Sequence, residues 1–228
     1  MDVNGAMALP EVKPHTTVMV RIASAAVLIP PVIAAVIAGT PYFEGLIFAG
    51  AVIVAWEWWR LCNAHPSWLA VGAIYIGIPC LMLVHLRSIP ELAAETVLWL
   101  FVLVWAADTG AYAFGKTIGG PKLAPVISPN KTWAGLAGAI ICSGLVGVVV
   151  ALALEIENLL RLVILSGAVG AIAQAGDLAE SWFKRRFGKK DAGGIIPGHG
   201  GLLDRVDGLL TASATVGALS LSRGGGVL

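Results

Sequence analysis

Seven apolar stretches, each long enough to cross a bilayer as a helix, take up most of this chain. A hydrocarbon core of roughly 30 Å needs about 20 helical residues. Stretches of that size lie at about residues 18–38, 44–62, 68–86, 95–115, 133–154, 158–180 and 205–222. They are continuous rather than alternating, so they read as helices and not as barrel strands. Composition agrees: 57% of the 228 residues are hydrophobic, 13% are charged and mean hydropathy is +0.85. Soluble domains carry about 25% charged residues. The expected fold class is all-α, a polytopic transmembrane helix bundle of about seven spans.

Residues 1–17 are polar and do not resemble a cleavable signal peptide. The three cysteines, Cys62, Cys80 and Cys142, are odd in number and lack C-x-x-C spacing, so neither a disulfide framework nor a zinc site is expected. Lys and Arg placement sets the orientation. With the N-terminus in the cytoplasm, 12 of the 15 basic residues fall on the cytoplasmic side; only Arg87, Arg161 and Arg223 fall on the other. The two polar loops, 116–132 and 184–204, then share the cytoplasmic face, and a site built from them faces the cytoplasm.

Charge is concentrated between Ser181 and Asp207. Lys184, Arg185, Arg186, Lys189 and Lys190 precede Asp191; a Gly/Pro-rich turn around His199 follows; Asp204, Arg205 and Asp207 close the run. Clustered cations suit phosphates and clustered carboxylates suit a hard cation, and a metal-bound nucleotide needs both. Asp177 and Glu180 are three apart and share a helix face; Lys184, one turn on, is placed to pair with Glu180. Asp204 and Asp207 have the same spacing, while Arg205 points off their face toward a phosphate or a lipid headgroup.

A second cluster begins with Asp108 and Tyr112 near the end of the fourth stretch and continues through Lys116, Lys122, Ser128, Lys131 and Thr132. An intramembrane aspartate has to be hydrated, paired or metal-bound. Lys131 immediately precedes a helix, whose N-terminal dipole favours phosphate. The bland reading of this loop is a positive-inside anchor. Glu57, amid Trp56, Trp58, Trp59 and Arg60, reads as part of an interfacial aromatic belt, with a lipid-headgroup contact as its functional alternative. His15, His65 and His85 read as interfacial. Gly135, Ala139, Ser143 and Gly147 form a small-residue stripe that implies close packing, within the chain or between subunits.

Taken together, the motifs resemble those of the phosphatidate cytidylyltransferase family. They are Ser181-x-Phe183-Lys184-Arg185, then Lys190-Asp191 and Pro197-x-His199-Gly200-Gly201-Leu202-x-Asp204-Arg205-x-Asp207, 27 residues in fixed spacing. Upstream, Asp108-Thr109-x-Ala111-Tyr112-x-x-Gly115 and Ser128-Pro129-x-Lys131-Thr132-Trp133-x-Gly135 resemble the same family's other motif region. The likeness extends over roughly 95–215. It departs at Ala134, where an acidic residue is common, and at Asn130, where a basic one is; the chain also looks shorter than the family at its N-terminus.

The resemblance implies transfer of the cytidylyl group of CTP to phosphatidate, giving CDP-diacylglycerol and pyrophosphate, with Mg²⁺. It implies Asp177, Asp204 and Asp207 as metal-facing carboxylates, Asp108 more weakly, and Asp204, Asp207, Lys190 and His199 as catalytic residues. Ser128, Lys131, Lys184, Arg185, Arg205 and Asp108 would bind substrate, the cations on CTP phosphates or on the phosphatidate headgroup. His199 would orient a phosphate or shuttle a proton. It further implies N-terminal transmembrane helices over 1–94, a catalytic transmembrane region over 95–222 and a tail over 223–228. Expected partners are CTP, phosphatidate and membrane lipids, with no nucleic acid and a possible homodimer, in a bacterial inner membrane. The rivals are a CTP-dependent polyprenol kinase and, from another class, an ion-coupled transporter. The transporter predicts mid-span acids and a repeated half, whereas these acids gather at helix ends.

Overall fold

The computed structural model describes residues 14–195 and 200–228, with side chains from residue 26 onward. Among these, the order is α1 (Pro14–Ala38), α2 (Tyr42–Leu61), α3 (Pro66–Ser88), α4 (Ala93–Thr117), β1 (Lys122–Ala124), β2 (Ser128–Thr132), α5 (Trp133–Ala153), α6 (Leu159–Arg186) and α7 (Leu203–Arg223). Each of the seven expected stretches is a helix. Four of the helices, α3 to α6, are long and apolar enough to cross a membrane, and the described part of α1 adds an apolar run from Ala26 to Ala38. This is a helical membrane protein. A helix satisfies its own backbone polar groups, which is why continuous apolar sequence adopts it in lipid.

One difference from expectation is local. The second half of the 116–132 loop is an antiparallel hairpin, pairing Lys122 with Thr132 and Ala124 with Ser128. Gly119 and Gly120 at positive φ (68° and 89°) turn the chain out of α4 toward it. The hairpin runs straight into α5, where the Thr132 hydroxyl accepts a hydrogen bond from the Gly135 N–H at 3.0 Å and caps the helix. Lys131 is thereby fixed next to a rigid helix start.

The α4, α5 and α6 backbones approach closely because small residues face one another. A Cβ on Gly138 would overlap the Gly110 carbonyl and the Phe114 side chain; one on Gly170 would overlap Ser143; one on Gly147 would overlap Ser166. The Trp99 indole donates to Ser166 Oγ at 3.0 Å across this seam. The small-residue stripe of α5 is therefore used inside the chain: Gly135, Ala139, Ser143 and Gly147 are all buried.

The tryptophans around Glu57 do not form a uniform belt. Trp56 and Trp59 are exposed, but Trp58 is buried and its indole donates to the Trp68 carbonyl at 2.7 Å. Trp58 also meets Phe183 edge-on at 4.9 Å, so α2 packs against α6 through aromatic rings. A second core links Val36, Phe43, Leu86, Trp99, Leu103 and Val216, drawing on α1 to α4 and α7.

Gly138→Val puts two methyl groups where the α4 backbone lies. Overpacking of this kind costs about 1–3 kcal/mol. A lower apparent thermal midpoint in detergent is the expected result, and an unchanged midpoint would show that the two helices can separate freely.

Candidate active site

A cavity of about 720 Å³ opens between α1, α4, α5, α6, α7 and the hairpin. Asp108, Lys131, Asp177, Lys184, Asp204, Arg205 and Asp207 all line it. Residues nearly 100 positions apart in sequence thus share one space. Arg205, expected off the Asp204/Asp207 face, lines the same cavity.

Two polar networks organise these charges. In the first, Lys131 Nζ lies 2.6 Å from Asp177 Oδ2 and donates to Gln174 Oε1 at 3.2 Å. The Gln174 amide nitrogen in turn donates to Asp108 Oδ1 at 2.9 Å. Gln174 is buried and sits one turn before Asp177 on α6. It reads both signs at once: its carbonyl faces a cation and its NH₂ faces a carboxylate. The hairpin, α4 and α6 are cross-linked through this one amide.

In the second, Lys184 Nζ lies 2.5 Å from Glu180 Oε2 and 2.7 Å from Asp204 Oδ1. The pairing of Glu180 with Lys184 is as their spacing predicts. Glu180 is wholly buried, so its charge depends on that partner. Asp204 also accepts from Ala192 N at 3.1 Å and Gly201 N at 2.9 Å, both oxygens being engaged. Burial acts to raise the Asp204 carboxyl, but the hydrogen bonds from Lys184 and the Gly201 N–H outweigh it and hold the group below the usual carboxylate range.

Other expected residues lie elsewhere. Arg185 is exposed, and its guanidinium donates to the carbonyls of Ile127 and Lys189 at 3.4 and 3.3 Å, bracing the hairpin. Ser128 and Lys190 do not line the cavity. His199 and Pro197 lie outside the described residues. Besides Asp204, four aspartates line the cavity: Asp108, Asp177 and Asp207 come from α4, α6 and α7, and Asp191 from the loop between α6 and α7. Among the described residues no three His, Cys, Asp or Glu side chains close into a ready-made metal cage. Magnesium does not demand one: it typically takes one or two carboxylates and completes its shell with water and substrate phosphate. The oxygen donors of this lining fit that pattern.

Three participants were not legible as such. Gln174 had only its spacing to Asp177 as a signal. Glu57, read from the sequence as part of an aromatic belt, is wholly buried, and its carboxylate accepts from Leu202 N at 3.0 Å and from Leu203 N at 2.7 Å. The headgroup contact considered for it is therefore excluded by burial. The third is the apolar part of the lining, to which Leu28, Ile29 and Val32 of α1 and Trp105 and Tyr112 of α4 contribute.

The site is a mixed-charge cavity in a helical membrane protein, and comparison with known sequences shows which proteins share it in sequence. Residues 63–221 match the model described as the cytidylyltransferase family. A phosphatidate cytidylyltransferase of Brucella suis biovar 1 (strain 1330) is 42% identical over 170 residues, 75% of this chain and 62% of that one. Proteins of the same name from Rickettsia bellii (strain RML369-C) and Rickettsia felis (strain ATCC VR-1525 / URRWXCal2) are 38% and 35% identical. The first covers 87% of this chain and 88% of its own, the second 92% and 95%. The chain thus spans somewhat under two thirds of the Brucella relative and nearly all of the rickettsial ones. It belongs to the cytidylyltransferase family.

Replacing Lys184 with Met keeps bulk but strands Glu180 and Asp204 without their cation. Loss of one partner from a buried pair costs about 3–5 kcal/mol. The variant is expected to unfold at a clearly lower temperature in detergent, with Lys184→Arg less affected; equal midpoints for Met and wild type would show the pair to be solvated.

Proposed function

We propose that this chain transfers the cytidylyl group of CTP to phosphatidate, releasing pyrophosphate and leaving CDP-diacylglycerol in the membrane. The observation that carries this reading is the composition of one cavity, whose lining combines cations and aspartates with aliphatic and aromatic side chains of α1 and α4. A nucleotide with its metal suits the charged groups and a lipid suits the apolar ones. The names and similarity of the relatives support the same reaction.

The nucleophile needs little activation, since the phosphatidate phosphate is already anionic. One of its oxygens attacks the α-phosphorus of CTP. The bond from that phosphorus to the bridging oxygen breaks, and the electron pair leaves with pyrophosphate. Catalysis then rests on positioning and on neutralising charge. Lys131 and Arg205 face the phosphates. Gln174 orients Lys131 and Asp108 together. Lys184 acts through Asp204, holding the ends of the 192–201 loop, rather than as a free phosphate ligand. Asp177 and Asp207, with Asp108, would hold magnesium. When bound, that ion polarises phosphate oxygens and offsets the charge that collects on the leaving group. Arg185 braces the hairpin, Lys190 adds to the positive field at the entrance, and His199 orients a phosphate or moves a proton.

All seven helices are proposed to cross a bacterial inner membrane, with the hairpin and the 184–204 loop in the cytoplasm. The bias of 12 basic residues to 3 supports that orientation.

The test is turnover by detergent-purified protein given phosphatidate, Mg²⁺ and CTP labelled at the α-phosphate. Label is expected in the lipid product and is expected to disappear when the metal is chelated. Asp207→Asn should slow transfer by about 100-fold or more, the scale of losing one electrostatic contact to a transition state. Transfer of γ-label to a polyprenol, with none from the α-position, would replace this reading by a kinase.

A further inference from the structure

The start of α7 is capped from outside the family-matched segment. Among the described residues, no side chain of α7 or of the loop before it caps Leu202 and Leu203, and a helix start leaves its first N–H groups without partners within the helix. Those two N–H groups are instead taken by Glu57, which reaches over from α2 and accepts from them at 3.0 and 2.7 Å. Glu57 lies ahead of residues 63–221, where the family model matches. It is wholly buried, in an otherwise apolar stretch of helix. Burying a carboxylate is costly unless it is hydrogen-bonded.

The surroundings are built to fit it. Gly193 and Gly201 press directly against its carboxylate, and a Cβ on either would overlap the oxygens. One group therefore contacts the chain on both sides of the loop and the first turn of α7. That turn is the one whose next residues, Asp204, Arg205 and Asp207, enter the cavity. Leu203, fully buried beside Val54, Trp58 and Leu61 of α2, packs the same junction.

We propose that Glu57 is a positioning residue for cytidylyl transfer: an acceptor supplied by α2 of the same chain that sets the angle and depth at which α7 presents Arg205 and Asp207. This rests on the reaction proposed above. Glu57 touches no substrate, and its effect is carried entirely by α7. Misplacement of reacting groups by about 1 Å can cost about 100-fold in rate.

The experiment uses the full chain in detergent, as wild type, Glu57→Gln and Glu57→Leu. Gln keeps the shape and one carbonyl acceptor; Leu keeps neither bond. Two readouts are taken: hydrogen–deuterium exchange over residues 200–208, and steady-state kinetics with CTP normalised to folded protein. Exchange over 200–208 is expected to quicken in the order wild type, Gln, Leu, while the α4 and α5 cores stay protected. The KM for CTP is expected to rise and kcat to fall at least about tenfold in Leu, with Gln between, on the scale of a small misplacement. A mere loss of folded protein would leave KM unchanged. Unchanged exchange in both variants overturns the proposal, as does faster exchange with wild-type KM and kcat. Absence of turnover in the wild type sinks the reaction instead, and the exchange result still decides whether Glu57 caps α7.

Discussion

Lys184 stands between two carboxylates from different helices, one of them fully buried, and the geometry of the site depends on that arrangement. In an apolar bundle a charge has few other ways to be compensated. Lys184 joins α6 to α7 and, through Asp204, gathers the backbone at Ala192 and Gly201. Lys131 does the parallel task on the other side, tying the hairpin to α6 and, through Gln174, to α4. The lysines that composition marks as phosphate ligands are therefore also the ties of the bundle.

Those networks need helices that come close. Facing glycines and serines along α4, α5 and α6 allow backbone approach that larger residues would block. The result places Asp108, on α4, within reach of Gln174, on α6, although 66 residues separate them. Packing and chemistry are thus linked: the seam of small residues sets the distance over which one amide bridges a carboxylate and an ammonium.

An amphipathic cavity suits the proposed reaction because its two substrates differ in kind. CTP is soluble and heavily charged, whereas phosphatidate carries its phosphate on a membrane-bound body. A site lined both by Leu28, Ile29 and Val32 and by Lys131, Arg205 and the aspartates would let the headgroup meet the nucleotide without removing acyl chains from an apolar environment. This is the physical reason for a nucleotide-using enzyme to be built from apolar helices.

Seven helices and their approximate limits were determined by the sequence, because apolar runs of bilayer length in lipid leave the backbone little choice but helix. The charged run from Ser181 to Asp207 and the pairing of Glu180 with Lys184 were equally legible, since both depend on local spacing. The hairpin before α5 was not, because Lys122 to Thr132 mixes proline, lysine and small residues without a two-residue alternation. Tertiary structure alone decided that Asp204 braces a loop, that Gln174 bridges Lys131 and Asp108, that the α5 stripe packs inward and that Glu57 caps α7. Each of these depends on which residues of distant helices face one another. Periodicity shows that a helix has a face, but only packing shows what that face meets.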